Sequence, residues 1–260
     1  MTAATPAELD ASTREALAAL LLTLADDEFV IGFWDSEWTG IAPMLEEDVA
    51  TSSIAQDEIG HARALYELLA NLTDDDADRI AFGRTPDAFR HAALLNHRRG
   101  DWARTVARRW LYETADGVRL AALSRSSFEP LANLTAKMRR EETYHQLHWD
   151  AWLRRLADGA AEGRSRLVAG LEELWTDAHA VFTPLAGEEE LTAAGVLPEP
   201  MEAMRSAWAR RVQERLGTMG VPLPEVPAPT RDGRTRRTDD FAWLHGQFTM
   251  VRGSEEGVTW

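Results

Sequence analysis

The chain has 260 residues, is 45% hydrophobic and carries a formal charge of -15. It holds enough apolar material for a sizeable core, and its charge repels phosphate backbones and acidic membranes, which disfavours nucleic acid as a partner. Cysteine is absent, which excludes disulfides, thiolate catalysis, Cys-bound zinc and iron–sulfur clusters. The stretch Met1 to Asp10 lacks a basic leader region, and the apolar run Leu17 to Ala25 is too short to span a bilayer. The expected location is the cytoplasm, with no membrane partner.

In chain order, Ser12-Thr13-Arg14-Glu15 has the form of a capping box and predicts a helix to about Trp38, stopped by Gly40. Its apolar stripe of Leu17, Leu21, Leu24 and Ile31 contains Glu28 at helical spacing, while Asp26 and Asp27 point elsewhere. A carboxylate in such a stripe costs on the order of several kcal/mol unless a positive group meets it. Pro43 suits the first turn of a second helix running to about Asn71, where Ile54, Leu65 and Leu69 share a face with Glu58 and His61. The short link between the two makes them antiparallel neighbours.

From Asn71 to Gly100 the pattern reads as a crossover, acidic over Asn71 to Asp78, with one short helix around Pro86 to Leu95. A third long helix is expected from Asp101 to Phe128, carrying Glu113 on the face of Trp102, Val106, Gly117 and Leu120. Pro130 opens a fourth, which carries Glu142 and His145 with Leu131, Met138, Trp149, Leu153 and Leu156. Beyond Gly159 two helices are predicted, Arg164 to Phe182 and Pro200 to Leu216. Pro222, Pro224, Pro227 and Pro229 then interrupt any helix, which resumes near Asp239. Strand patterning is absent. The expected fold is all-α: a four-helix bundle over about residues 12–158 with one long crossover, then C-terminal helices and a Pro-rich tail over about 159–260, in one domain.

The chemistry lies in Glu58-Ile59-Gly60-His61 and its second copy, Glu142-Thr143-Tyr144-His145. A single Glu-x-x-His match arises by chance about once in a chain of this composition. Here each copy has a glutamate at nearly the same distance upstream, Glu28 standing 30 positions before Glu58 and Glu113 standing 29 before Glu142. The set Glu28, Glu58, His61, Glu113, Glu142 and His145 matches the four-Glu, two-His arrangement of di-iron and di-manganese bundles. Bridging carboxylates neutralise two divalent ions and leave positions open for dioxygen, and imidazole tolerates both iron oxidation states. The expected cofactor is two iron ions, with manganese as the alternative and an empty site if the bundle is structural.

The competing reading pairs each buried glutamate with an arginine, Arg109 lying nearest Glu113 on the helix face, and makes each histidine a core residue. Six such groups at matched spacing in four apolar stripes call for a common counter-charge. Asp57 and Arg63 are suited to orient an imidazole on a neighbouring helix, and Trp102 and Trp149 to wall the site. A radical-bearing tyrosine one turn after His61 is not expected, because Leu65 stands there and Tyr66 points off the face. His91, His97, His148, His179 and His245 are assigned to solvent or structure. The basic run Arg231 to Arg237 is read as a contact for an acidic partner surface.

The segments Gln56 to Arg63, Ala107-Arg108-Arg109-Trp110, Tyr144-His145, and Thr238-Asp239-Asp240-Phe241 through Gly257 to Trp260 give the chain its resemblance to a known family. It resembles the phenylacetate-catabolism family of ferritin-like proteins, the subunits of the bacterial phenylacetyl-CoA ring-1,2-epoxidase. Size and C-terminal ending are most similar to the smaller, PaaC-type subunit. The resemblance implies a ferritin-like bundle in a homodimer or hetero-oligomer, whose partner is a larger, catalytic PaaA-type subunit. It further implies oxygen insertion into the aromatic ring of a coenzyme A thioester, with electrons from a separate reductase subunit. The smaller subunit of the family is described as having lost its metal ligands, whereas this chain keeps a full set. The expected function is therefore a subunit of an epoxidase or monooxygenase that supports or shares oxygen activation. The alternative is an independent di-iron or di-manganese oxidase or oxygenase; iron storage or a purely structural bundle ranks lower.

Overall fold

The computed structural model of the chain describes residues 9–228 and 230–254. The stretch before Leu9, Pro229 and the Gly257-to-Trp260 ending used in the resemblance lie outside the described residues. Among the described residues the regular elements are all helical, and no helix is long and apolar enough to cross a membrane.

The first helix, α1, spans Ala11–Ser36. Its cap is Asp10 rather than Ser12: the Asp10 carboxylate accepts from the Thr13 backbone N–H at 2.8 Å and also takes the Ser12 hydroxyl, so Ser12 acts as a donor and not as the cap. Helix α2, Leu45–Thr73, begins after Met44, leaving Pro43 just outside it, and carries Glu46, Glu47 and Asp48 in its first turn, where they complement the helix dipole. Asp74 ends it in the left-handed region at φ 56°. The two helices approach closely at Gly32, where a Cβ would lie 3.0 Å from the Ile59 side chain and 3.1 Å from the Ala55 carbonyl oxygen.

The crossover differs from the sequence expectation. Its short helix, α3, is Ala77–Phe82, and the stretch predicted to be helical instead forms two 3-10 turns, Pro86–Ala88 and Ala93–Asn96. The reason lies in α1. The backbone N–H groups of Arg90 and Ala92 donate to the buried carboxylates of Asp26 (2.5 Å) and Asp27 (2.7 Å), which holds this backbone extended instead of letting it bond to itself.

Helices α4, Trp102–Leu123, and α5, Glu129–Ala157, complete the bundle. Contacts at Trp38–Thr105 (3.1 Å), Glu28–Tyr112 (2.7 Å) and Asp27–Arg119 (2.6 Å) run in opposite senses along the chain, so α1 and α4 are antiparallel. Glu47–His148 (3.2 Å), Asp57–His145 (3.2 Å) and Glu141–His61 (2.7 Å) show the same for α2 and α5. The crossover therefore returns α4 parallel to α2, the arrangement of a one-crossover, ferritin-like bundle.

Helix α6, Ala161–Ala178, packs on α4 and ends in a 3-10 turn at His179–Phe182; α7, Glu188–Ala193, is a short helix without a sequence signal; α8, Met201–Thr218, lays Trp208 against Trp175 with ring centroids 5.3 Å apart. Helix α9, Asp239–Ser254, resumes where expected and sets Phe248 on Phe29 at 5.0 Å.

The basic run, read from the sequence as a contact for an acidic partner surface, is drawn in part into the fold, while Arg231 and Arg236 stay exposed. Arg234 is buried and makes two 3.0 Å bonds to the Asp27 carboxylate, and it also donates to the carbonyls of Arg90 and Val181. Arg236 pairs with Asp177, and Arg237 binds the Phe89 and Arg234 carbonyls. The buried carboxylate of Asp27 in α1 draws Arg234 inward, because a buried carboxylate needs a counter-ion.

Candidate metal centre

Each helix of the bundle turns one carboxylate inward at the same level. On α2 and α5 the Glu-x-x-His spacing stacks the imidazole one turn above the glutamate on the buried face. All six expected residues are buried. Donor atoms of Glu28, Glu58, His61 and Glu142 lie within 4.8 Å of one another, and so do those of Glu58, Glu113, Glu142 and His145. Glu58 and Glu142 are common to both groups, so the set has two halves joined by two shared carboxylates.

The imidazoles face inward through Nδ1. His61 Nδ1 lies 3.4 Å from Glu28 Oε2, 3.3 Å from Glu142 Oε1 and 3.9 Å from Glu58 Oε2. His145 Nδ1 lies 3.3 Å from Glu142 Oε1 and 3.5 Å from Glu58 Oε1. Their outer nitrogens are held by carboxylates across the α2–α5 seam: His61 Nε2 by Glu141 at 2.7 Å and His145 Nε2 by Asp57 at 3.2 Å. An anionic partner on Nε2 fixes the ring and favours the tautomer that leaves Nδ1 free as a ligand.

Asp57 thus has its expected place, but Arg63 does not: its side chain is 80% exposed and pairs with Glu67. Glu141 was missed, although its signal was available, since it stands just before Glu142 as Asp57 stands just before Glu58. Tyr112 was missed too; its hydroxyl donates to Glu28 Oε1 at 2.7 Å. Trp149 lies on the far side of Arg109, whose Cζ is 5.5 Å from the ring centroid, and Trp102 packs behind it at 5.9 Å.

Arg109 enters the site itself. Its Nη2 donates to Glu58 Oε1 at 2.5 Å and to Glu113 Oε1, and its Nε lies 3.2 Å from Asp35 Oδ2. The competing reading therefore holds in part: Glu58 and Glu113 each have an arginine partner. Glu28 and Glu142 have none among the ion pairs of the described residues.

The charge states follow. Burial pushes the Glu28 carboxyl well above the usual range, with the neighbouring Glu58 charge adding to the effect. Burial does the same for Glu113 and outweighs Arg109, with Glu142 adding to the rise. Burial also opposes the charge on Glu58, yet Arg109 wins and holds that carboxyl well below the usual range. Glu142 is held down at about 2 against burial and Glu58 by the two imidazoles beside it. Burial opposes charge on His145, but Glu142 and Glu58 push it up to about 12; Glu142, Glu28 and Glu58 raise His61 likewise.

Glu58 Oε2, Glu113 Oε2, Glu142 Oε1 and His145 Nδ1 are buried without a partner in hydrogen-bond geometry. An orphaned buried polar group costs roughly 1–3 kcal/mol, and the four residues that carry these atoms bring donor atoms within 4.8 Å of one another. A donor set of carboxylate oxygens and imidazole nitrogens suits iron or manganese, so the residues present fit divalent metal.

A one-crossover bundle that turns four glutamates and two histidines to a common buried point defines a ferritin-like carboxylate bundle. Within that class the chain belongs to the phenylacetic acid catabolic protein family, which it matches over residues 1–260. It is 28% identical over 219 residues to the PaaC subunit of the 1,2-phenylacetyl-CoA epoxidase of Escherichia coli (strain K12), covering 84% of this chain and 88% of that protein. The PaaA subunit of the same enzyme is 28% identical over 163 residues, which is 62% of this chain and 52% of that relative.

Proposed function

We propose that this chain is a subunit of a phenylacetyl-CoA epoxidase type of assembly in aerobic phenylacetate catabolism, and that Glu28, Glu58, His61, Glu113, Glu142 and His145 hold two metal ions within it. The observation that carries the metal assignment is the inward aim of both Nδ1 atoms onto the shared oxygen Glu142 Oε1, at 3.3 Å each. When bound, two iron ions, or manganese, supply the redox equivalents and open positions that activate dioxygen. Glu58 and Glu142, common to both groups, would serve both ions, Glu28 and Glu113 would serve one half each, and the Tyr112 hydroxyl, which donates to Glu28, would orient it. Asp57 and Glu141 accept hydrogen bonds from the imidazole Nε2–H groups and keep both rings in register.

The partner in this reading is a larger, PaaA-like subunit, supported by the likeness to both the PaaC and the PaaA chains of one enzyme. A coenzyme A thioester is the substrate of the assembly, a separate reductase supplies electrons, and the cytoplasm is its location. The bundle and the C-terminal helices are read as one domain, supported by the burial of Arg234 against Asp27. A second reading, an independent di-metal oxidase or oxygenase, is favoured by the full six-residue donor set. Co-purification with the larger subunit, with metal counted per chain in the isolated protein and in the complex, separates the two. A stable complex supports the first reading; metal-dependent oxygen consumption by this chain alone, without association, supports the second.

A further inference from the structure

The two halves of the donor set are unequal. On the His61 side Glu28 Oε2, Glu58 Oε2, Glu142 Oε1 and His61 Nδ1 face one another, and Glu58 Oε2 and Glu142 Oε1 have no hydrogen-bond partner. On the His145 side Glu113 Oε2 and His145 Nδ1 are unpartnered too, but Glu58 Oε1 and Glu113 Oε1 already take Arg109 Nη2, a fully buried guanidinium. Behind it, Asp35 is buried with both carboxylate oxygens outside hydrogen-bond geometry, although Arg109 Nε is 3.2 Å and Arg108 Nη2 3.6 Å away. Arg109 Nε and Nη1 are likewise unpartnered. The guanidinium therefore sits between two acceptors: the Glu58–Glu113 pair, to which it now donates, and Asp35, to which it makes no hydrogen bond.

We propose that Arg109 is a built-in cation of the Glu113/His145 half, so that metal enters the Glu28/His61 half first and the second half only when Arg109 turns from Glu58 and Glu113 to Asp35. The inference rests on the metal-centre reading above. Physically, a divalent ion entering the second half meets a fixed positive charge within a water-poor core, where like charges repel strongly, and it competes with Arg109 for one oxygen each of Glu58 and Glu113. Asp35 offers the arginine a buried carboxylate to move to, so displacement is costly but open. The same arrangement stabilises the metal-free fold, because Arg109 adds a fixed counter-charge to the acidic cluster beside the two imidazoles.

Titration of the purified full chain with Mn2+ by calorimetry, with metal counted per chain, tests this. The expected result is two steps, the second weaker by about tenfold or more. Arg109→Met should narrow that gap and lower the melting temperature of the metal-free protein; Asp35→Asn should widen the gap, because Arg109 loses the group it moves to. A residue with a merely structural part would weaken both steps in both variants. If Arg109→Met does not fold, Asp35→Asn carries the test, and an unchanged gap there overturns the inference. Two equal steps in the unaltered chain also overturn it while leaving the metal centre standing. If neither the unaltered chain nor any variant binds Mn2+, the metal-centre reading itself fails and the inference falls with it.

Discussion

Glu141 Oε2 lies 2.7 Å from Nε2 of His61, across the seam between α2 and α5. This contact turns Nδ1 of the same ring toward Glu28, Glu58 and Glu142. Replacing Glu141 by Gln keeps the size and removes the charge that raises the basicity of the ring. Metal affinity of the Glu28/His61 half should fall by about 10–100-fold, the usual cost of losing such a support. Asp57→Asn should act in the same way on the His145 half. Stepwise Mn2+ titration reads both, and an unchanged first step in Glu141→Gln contradicts the assignment.

Metal uptake should release protons. His145 is held at about 12 and His61 is raised as well, so both rings are protonated near neutral pH and must lose a proton before Nδ1 becomes a ligand. Affinity should rise with pH, with about one proton released per imidazole engaged and further release from Glu28 and Glu113, whose carboxyls burial pushes up. Calorimetry in buffers of different ionisation heats measures this number directly; heats independent of buffer would show that the rings are neutral or unengaged.

In the metal-free protein the same groups set a pH window for stability. His145 lies above its ordinary value of 6.5, so its contribution is complete below that pH and is lost as pH rises through about 12. Glu142 lies below its ordinary 4.5, so its contribution is complete above that pH and is lost as pH falls through about 2. Urea midpoints of the metal-free chain should therefore fall between pH 4.5 and 2. Glu142→Gln should flatten that acid limb, and an acid limb of unchanged size would place the stabilising charge elsewhere.

Arg234 is a buried clamp between the C-terminal segment and α1. Arg234→Ala leaves Asp27 with Arg119 and the Ala92 backbone N–H, and frees two backbone carbonyls that Arg234 now serves. The expected loss is about 3–5 kcal/mol, the range for breaking a buried pair from one side. Denaturant unfolding measures it. A loss under about 1 kcal/mol, as for an exposed pair, would mean the contact does not hold the segment in solution.

Gly32 allows α1 and α2 to meet. Gly32→Val places branched carbon atoms where even a Cβ stands 3.0 Å from Ile59 and 3.1 Å from a carbonyl oxygen, so the helices must separate. A cost of about 1–3 kcal/mol or more is expected, together with weaker metal binding, since Glu28 on α1 and Glu58 on α2 would move apart. Melting temperature and Mn2+ affinity should fall together.

The four long helices were legible in the sequence because their signals are local. Leu17, Leu21, Leu24 and Ile31 repeat at helical spacing around Glu28, and Pro130 lies in the first turn of α5 as expected. That these six residues meet was legible because two Glu-x-x-His copies lie on apolar stripes. What was not legible depends on distant partners. The extended backbone at Arg90 and Ala92 answers to carboxylates 64 and 65 residues earlier, which no window around Pro86 reveals. Arg234 reads as surface charge until its partner, 207 positions away, is in place. Arg109 was visible beside Glu113 as a rival to metal, but its reach to Glu58 and Asp35 needed α1 and α2 positioned around it. Asp35 has no sequence signal of its own.

Anomalous scattering from crystals of the purified chain soaked in Mn2+ tests the centre most directly. The predicted result is a strong peak bonded to Nδ1 of His61 and to oxygens of Glu28, Glu58 and Glu142, with a weaker peak at Nδ1 of His145. A cluster free of any peak at saturating Mn2+, with Arg109 still on Glu58 and Glu113, would contradict it.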